Sequence, residues 1–81
     1  MILVELDAMS IRVLRTLHGL TQKQIADKLG THQPVYAMFE NGAVRPSAEH
    51  HEQLVKILRA NEAHSISVIE AIRAWKDEAN V

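Results

Sequence analysis

The sequence predicts an all-α domain of five helices, and three observations point to it. The 81 residues are 47% apolar with only three Gly and two Pro, the balance of a folded, mainly helical chain rather than a disordered one. Apolar side chains recur at helical spacing along most of the chain. Cap-forming Ser, Thr and Asp residues and helix-stopping Gly residues bracket these runs.

Helix 1 carries Ile11, Leu14 and Leu17 and ends near His18, because Gly19 follows where a left-handed C-terminal residue is needed. Its start has two readings. Leu3, Leu6, Ser10 and Ile11 continue the stripe, whereas Asp7 also suits an N-cap behind a short extended arm; the longer helix is the expectation. Thr21 followed by Gln24 is a capping-box pattern opening helix 2, which buries Ile25, Ala26 and Leu29 over about two turns before Gly30 stops it. Thr31 or His32 can cap helix 3, Pro34 fits its first turn, and Gly42 closes it. After the turn Arg45-Pro46-Ser47, Ser47 caps helix 4, which runs to about Arg59 with Leu54, Val55, Ile57 and Leu58 apolar. Asn61 to His64 reads as a loop. Ser67 with Glu70 forms a second capping box for helix 5, about residues 66–78, with Val68, Ile69, Ala71, Ile72 and Trp75 as a broad apolar face. Without repeats, low-complexity tracts or a boundary, residues 1–81 read as a single domain.

The composition also excludes several function classes. With no Cys there is neither a disulfide framework nor a thiolate zinc site, which suits a cytoplasmic protein. The opening MILVELDAM lacks a basic leader and is interrupted by Glu5 and Asp7, so it is not expected to be a signal peptide, and no stretch approaches a membrane span. The net charge of -1 hides a partition: residues 11–46 hold five basic groups against two acidic, while both ends are net acidic. Basic charge gathered on one segment is a nucleic-acid signal that the total conceals.

Two short helices joined through Gly30, Thr31 and His32, the first with the small Ala26 facing the second, meet the needs of a helix-turn-helix. Indeed, LTQKQIADKLGTHQPVYAMFENGAVRPS resembles the helix-turn-helix of the phage-repressor and Cro family, found also in small bacterial regulators and antitoxins. The likeness spans about Ile11 to Leu58. It rests on Arg15, Gly19-Leu20-Thr21-Gln22, Ala26, Leu29-Gly30, Gln33, Glu40-Asn41-Gly42 and Pro46-Ser47 at the family's spacing. The resemblance implies a lambda-repressor-like five-helix fold with the motif, about residues 21–40, at helices 2 and 3.

It also implies roles for residues along the motif. Gln33 would present its amide to adenine N6 and N7; on their chemistry, Pro34, Ala37 and Met38 beside it suit contact with thymine methyl groups. Gln22 would meet a phosphate and buttress Gln33, and Lys23, His32, Asn41 and Arg45 would lie along the DNA backbone. Arg15 and Glu40 resemble the family's structural ion pair. Three positions depart from the pattern. Tyr36 stands where a branched aliphatic residue is usual, His51 where Leu is usual, and Ala48 is small; Tyr36 and Trp75 are expected to fill the volume that helix 4 fails to supply.

Five His invite a metal reading, but adjacent His50 and His51 project about 100° apart on a helix, and HEQLV has Val55 where HExxH needs its second His. No metal, cofactor or enzymatic activity is expected. The expected function is sequence-specific DNA-binding regulation, most simply repression, by a homodimer on a palindromic operator with Val68, Ile69, Ile72 and Trp75 as its seam. The rival is a protein-binding module, an antitoxin or anti-repressor that holds a partner such as a toxin through Pro34, Val35, Ala37 and Met38.

Overall fold

The structure is a computed structural model that describes residues 5–79. Five helices follow one another: α1 (Ala8–Leu17), α2 (Gln22–Leu29), α3 (Gln33–Asn41), α4 (Ala48–Ile57) and α5 (Ala63–Ala79). No strand occurs among the described residues.

Local chemistry sets most of the boundaries. The Asp7 carboxylate accepts the Ser10 N-H at 2.8 Å and starts α1 there, so the longer helix 1 is not formed; the part of that expectation resting on Leu3 lies outside the described residues. Tertiary bonds hold the preceding non-helical residues in place. The Leu6 N-H donates to His51 Nε2 at 3.0 Å, Arg73 donates to the Glu5 carbonyl at 3.1 Å, and Lys76 pairs with Asp7 at 2.9 Å. Both bonds of the capping box at the start of α2 are present, the Gln24 N-H to Thr21 Oγ1 at 3.1 Å and the Thr21 N-H to Gln24 Oε1 at 2.8 Å. At the start of α3, His32 takes the cap position without a side-chain hydrogen bond. Ser47 caps α4 through the His50 N-H.

The second capping box is not used. α5 starts at Ala63, and Ser67 lies inside it, donating its hydroxyl back to the Ala63 carbonyl at 3.1 Å. The link to α4 is correspondingly tight. Arg59 takes a left-handed conformation with φ 53°, secured by its 2.8 Å bond to Glu62, and Ala60 is fully buried beneath it.

Ile11, Leu14, Ile25, Tyr36, Leu54 and Leu58 form the centre of the core, so α1 to α4 all contribute to it. Tyr36 does fill core volume, set edge-on to Phe39 with ring centroids 6.2 Å apart. Trp75 does not, being 63% exposed. Ala48 is exposed, so its small size leaves no void to fill. The apolar face of α5 is also divided: Ile69 belongs to the core at 3% exposure and Val68 packs against that core, which removes Ile69 from any exposed seam. Ile72 is half-buried. No described helix is long and apolar enough to cross a membrane, and no group of three metal-ligating side chains gathers among the described residues.

Burial therefore separates two apolar residues of α4 and α5. Leu54→Ala should cost about 2–5 kcal/mol through lost burial and a cavity, whereas Trp75→Ala should leave the stability of the single folded chain, measured at dilution, within about 0.5 kcal/mol. Urea denaturation of both variants checks the contrast.

Candidate nucleic-acid interface

Gly30, at φ 71°, reverses the chain between α2 and α3, a left-handed conformation that a side chain would disfavour. Behind it, the Thr31 N-H reaches the Ala26 carbonyl at 3.0 Å, and Ala26 itself is buried at the junction. The two helices therefore approach closely. On α3, Tyr36, Phe39 and Glu40 are buried, which leaves Gln33, Pro34, Ala37, Met38 and Asn41 on the outward side. Gln33, Pro34 and Asn41 are exposed; Ala37 and Met38 are half-exposed.

A run of hydrogen bonds leads from the core to this face. Arg15 donates from Nε and Nη2 to the two oxygens of Glu40, and from Nη1 to the Leu20 carbonyl at 2.7 Å. The Glu40 side chain is only 4% exposed and the Arg15 side chain 17%, so the ion pair is largely withdrawn from water. Gln22 Nε2 then donates to Glu40 Oε1 at 3.2 Å, and Gln33 Nε2 meets Gln22 Oε1 at 3.5 Å. Chemistry fixes the direction of this run. A carboxylate only accepts, so Gln22 must turn its NH2 group to Glu40 and its oxygen to Gln33. Gln33 keeps its carbonyl oxygen and one N-H for an outside partner.

The same contacts shift the charges. Burial would raise the Glu40 carboxyl, but Arg15, Tyr36 and Gln22 outweigh it and hold the group below its ordinary value. Arg15 is raised, chiefly by its bond to Glu40. Burial, reinforced by the Glu40 carboxylate, pushes the Tyr36 phenol far above its usual value.

The other sequence-derived residues lie around α3 with differing freedom. The Asn41 oxygen accepts the Ala43 N-H at 2.9 Å, which leaves its NH2 group to donate outward. Beyond Gly42, the Val44 N-H bonds to the Met38 carbonyl at 3.3 Å and folds the segment carrying exposed Arg45 back against the end of α3. His32 is exposed at the start of α3. Lys23 is exposed too, beside Asp27 at 3.5 Å, a pair too wet to be strong. Between α1, α2 and α3 opens a cleft of about 240 Å³ lined by Arg12, Arg15, Gln22, Ala37, Glu40 and Asn41. Arg12 is not among the sequence-derived contacts, although its spacing of three from Arg15 puts both on one face of α1.

A helix-turn-helix family model matches residues 11–63. The chain belongs to the phage-repressor and Cro-type helix-turn-helix family. Its five helices form the lambda-repressor-like all-α fold, and its general role is that of a DNA-binding regulator. No curated protein and no solved structure matches it significantly.

In this helix-turn-helix, Arg15→Ala and Glu40→Ala should each destabilise by about 3 kcal/mol, because each leaves a charge buried without its partner. The double variant should lose less than the two singles added, which a double-mutant cycle on thermal melting measures. The depressed Glu40 carboxyl gives the pH dependence its sign. Its contribution is complete above the unfolded carboxyl's pKa of about 4.3 and is lost as pH falls through the lower folded value. Glu40→Gln should flatten that acid limb in melts recorded at successive pH values.

Proposed function

We propose that the chain is a sequence-specific repressor that reads a palindromic operator as a dimer. The observation that supports this most is the run Arg15–Glu40–Gln22–Gln33, which ends in an oriented, exposed amide at the start of the second motif helix. An amide held with one N-H and its oxygen outward matches the acceptor and donor that adenine shows in the major groove. Pro34, Ala37 and Met38 on the same face suit thymine methyl groups, so A·T pairs are the proposed half-site content. Gln22, Lys23, His32, Asn41 and Arg45 are assigned to the DNA backbone, where they set register without reading sequence.

One such module spans too few base pairs to select a site in a genome, which is the reason to infer two copies. The proposed seam is the outward part of α5, where Trp75 is exposed and Ile72 half-buried. Sedimentation of the wild-type chain should reveal a dimer at micromolar concentration, weakened by Trp75→Glu. A chain monomeric at all concentrations would end the dimer proposal.

Reading and gripping belong to different residues, so they separate experimentally. Selection from random duplexes identifies the preferred operator. Gln33→Ala should then cost about 1–3 kcal/mol on that operator and little on other DNA, relaxing one base pair per half-site. Arg45→Ala should weaken binding to every duplex and make the log-log salt slope shallower by about 0.9 for each phosphate it no longer neutralises. Unchanged preference after Gln33→Ala, together with loss of a bound protein partner, would transfer α3 to the antitoxin or anti-repressor reading.

A further inference from the structure

The cleft between α1, α2 and α3 holds a charge that the assigned DNA contacts leave out. Two arginines and one carboxylate line it, so it carries a net positive charge. Arg15 does not supply that charge freely: its Nε and Nη2 are bound to Glu40 and its Nη1 to the Leu20 carbonyl. Arg12 differs. It is exposed, makes no ion pair among the described residues, and lines the same cleft as Gln22, Ala37 and Asn41. The Asn41 amide is already turned so that its NH2 group is unclaimed by Ala43.

We propose that this cleft seats one phosphate of the DNA backbone, with the Arg12 guanidinium supplying its charge and the Asn41 amide a second donor. The proposal rests on the DNA-binding reading above and adds to it a cation from α1, which lies outside the two motif helices. The chemistry of the site is that of an anion seat: a planar guanidinium offers several N-H donors to phosphate oxygens in a fixed geometry. Its position favours a phosphate of bound duplex over a free one, because Ala37 and Asn41 of the cleft wall belong to the outward face of α3. An α3 without Lys or Arg thus has a cation beside it all the same.

Wild type, Arg12→Ala and Arg12→Lys are titrated onto a mixed-sequence duplex by fluorescence anisotropy over a range of salt. Circular dichroism establishes that each variant is folded, and Ala and Lys both suit a helix. Arg12→Ala should bind every duplex several-fold more weakly at fixed salt and show a slope shallower by about 0.9, the counterion release expected for one neutralised phosphate. Arg12→Lys keeps the charge and should keep the slope. A slope for Arg12→Ala equal to that of wild type overturns the phosphate seat while leaving the DNA-binding reading in place. Wild type that binds no duplex overturns both. In a further arm, inorganic phosphate competes at matched ionic strength; displacement of DNA from wild type but not from Arg12→Ala supports the shared seat, whereas phosphate that raises the melting temperature of wild type but not of Arg12→Ala while leaving DNA binding unchanged would assign the cleft to free phosphate and overturn the backbone assignment.

Discussion

A guanidinium and a carboxylate enclosed between α1 and α3 are costly apart and tolerable together, and the geometry that joins Arg15 to Glu40 governs much of what surrounds them. Arg15 also donates to the Leu20 carbonyl, immediately before the cap of α2, so one side chain touches the ends of three helices. Glu40, able only to accept, decides which way the Gln22 amide points, and Gln22 decides the same for Gln33. The orientation of an exposed amide is therefore set by a charge in the interior. Fold and site share this pair, and a change there reaches both.

A second constraint acts on the chain before α1. His51 Nε2 faces the Leu6 N-H and must accept, which places the ring proton on Nδ1; His18 Nε2 faces the Leu58 carbonyl at 2.6 Å and must donate. The two rings do opposite work. A leucine at position 51 would bury more apolar area but would leave the Leu6 N-H without that acceptor. Asp7 is shared in a similar way, one oxygen capping α1 and the other paired with Lys76 of α5. Burial would raise its carboxyl, yet Lys76 and Ser10 hold it below the ordinary value, so this clasp also weakens as acid protonates it.

The elements that were legible in the sequence are those whose causes lie within a few residues of one another. Thr21 and Gln24 close a capping box in place, and Gly19, Gly30 and Gly42 all take the left-handed conformation their positions imply. Ser67 and Glu70 spell the same box without forming it. Nothing local separates the two cases: Ser67 is satisfied by the carbonyl four residues earlier, and what starts α5 sooner is the turn that buries Ala60 and pairs Arg59 with Glu62. The longer helix 1 that the apolar stripe implied fails for a similar reason: His51, Arg73 and Lys76 hold residues 5–7, partners 45 to 69 positions away. At the site, the Arg15–Glu40 pair was legible only through family spacing, because no periodicity joins positions 25 apart. Arg12 carries no comparable signal in the sequence, because the cleft that gives it a place is made by three separate helices.

The outward face of α3 is not a product of that helix's own preferences. Nine residues are too few for a stable isolated helix, and Pro34, Val35, Tyr36 and Phe39 are weak helix formers. Its conformation comes instead from burying Tyr36 and Phe39 and from anchoring Glu40 to Arg15. Without a Lys or Arg of its own, α3 contributes little long-range pull on a polyanion; in the proposed role that attraction falls to cations around it, such as Arg12 and Arg45. Holding, attracting and, in the proposed role, reading are thus divided among different side chains. In that role, sequence preference would change through Gln33 while the core that positions it and the proposed phosphate-facing charges remain as they are.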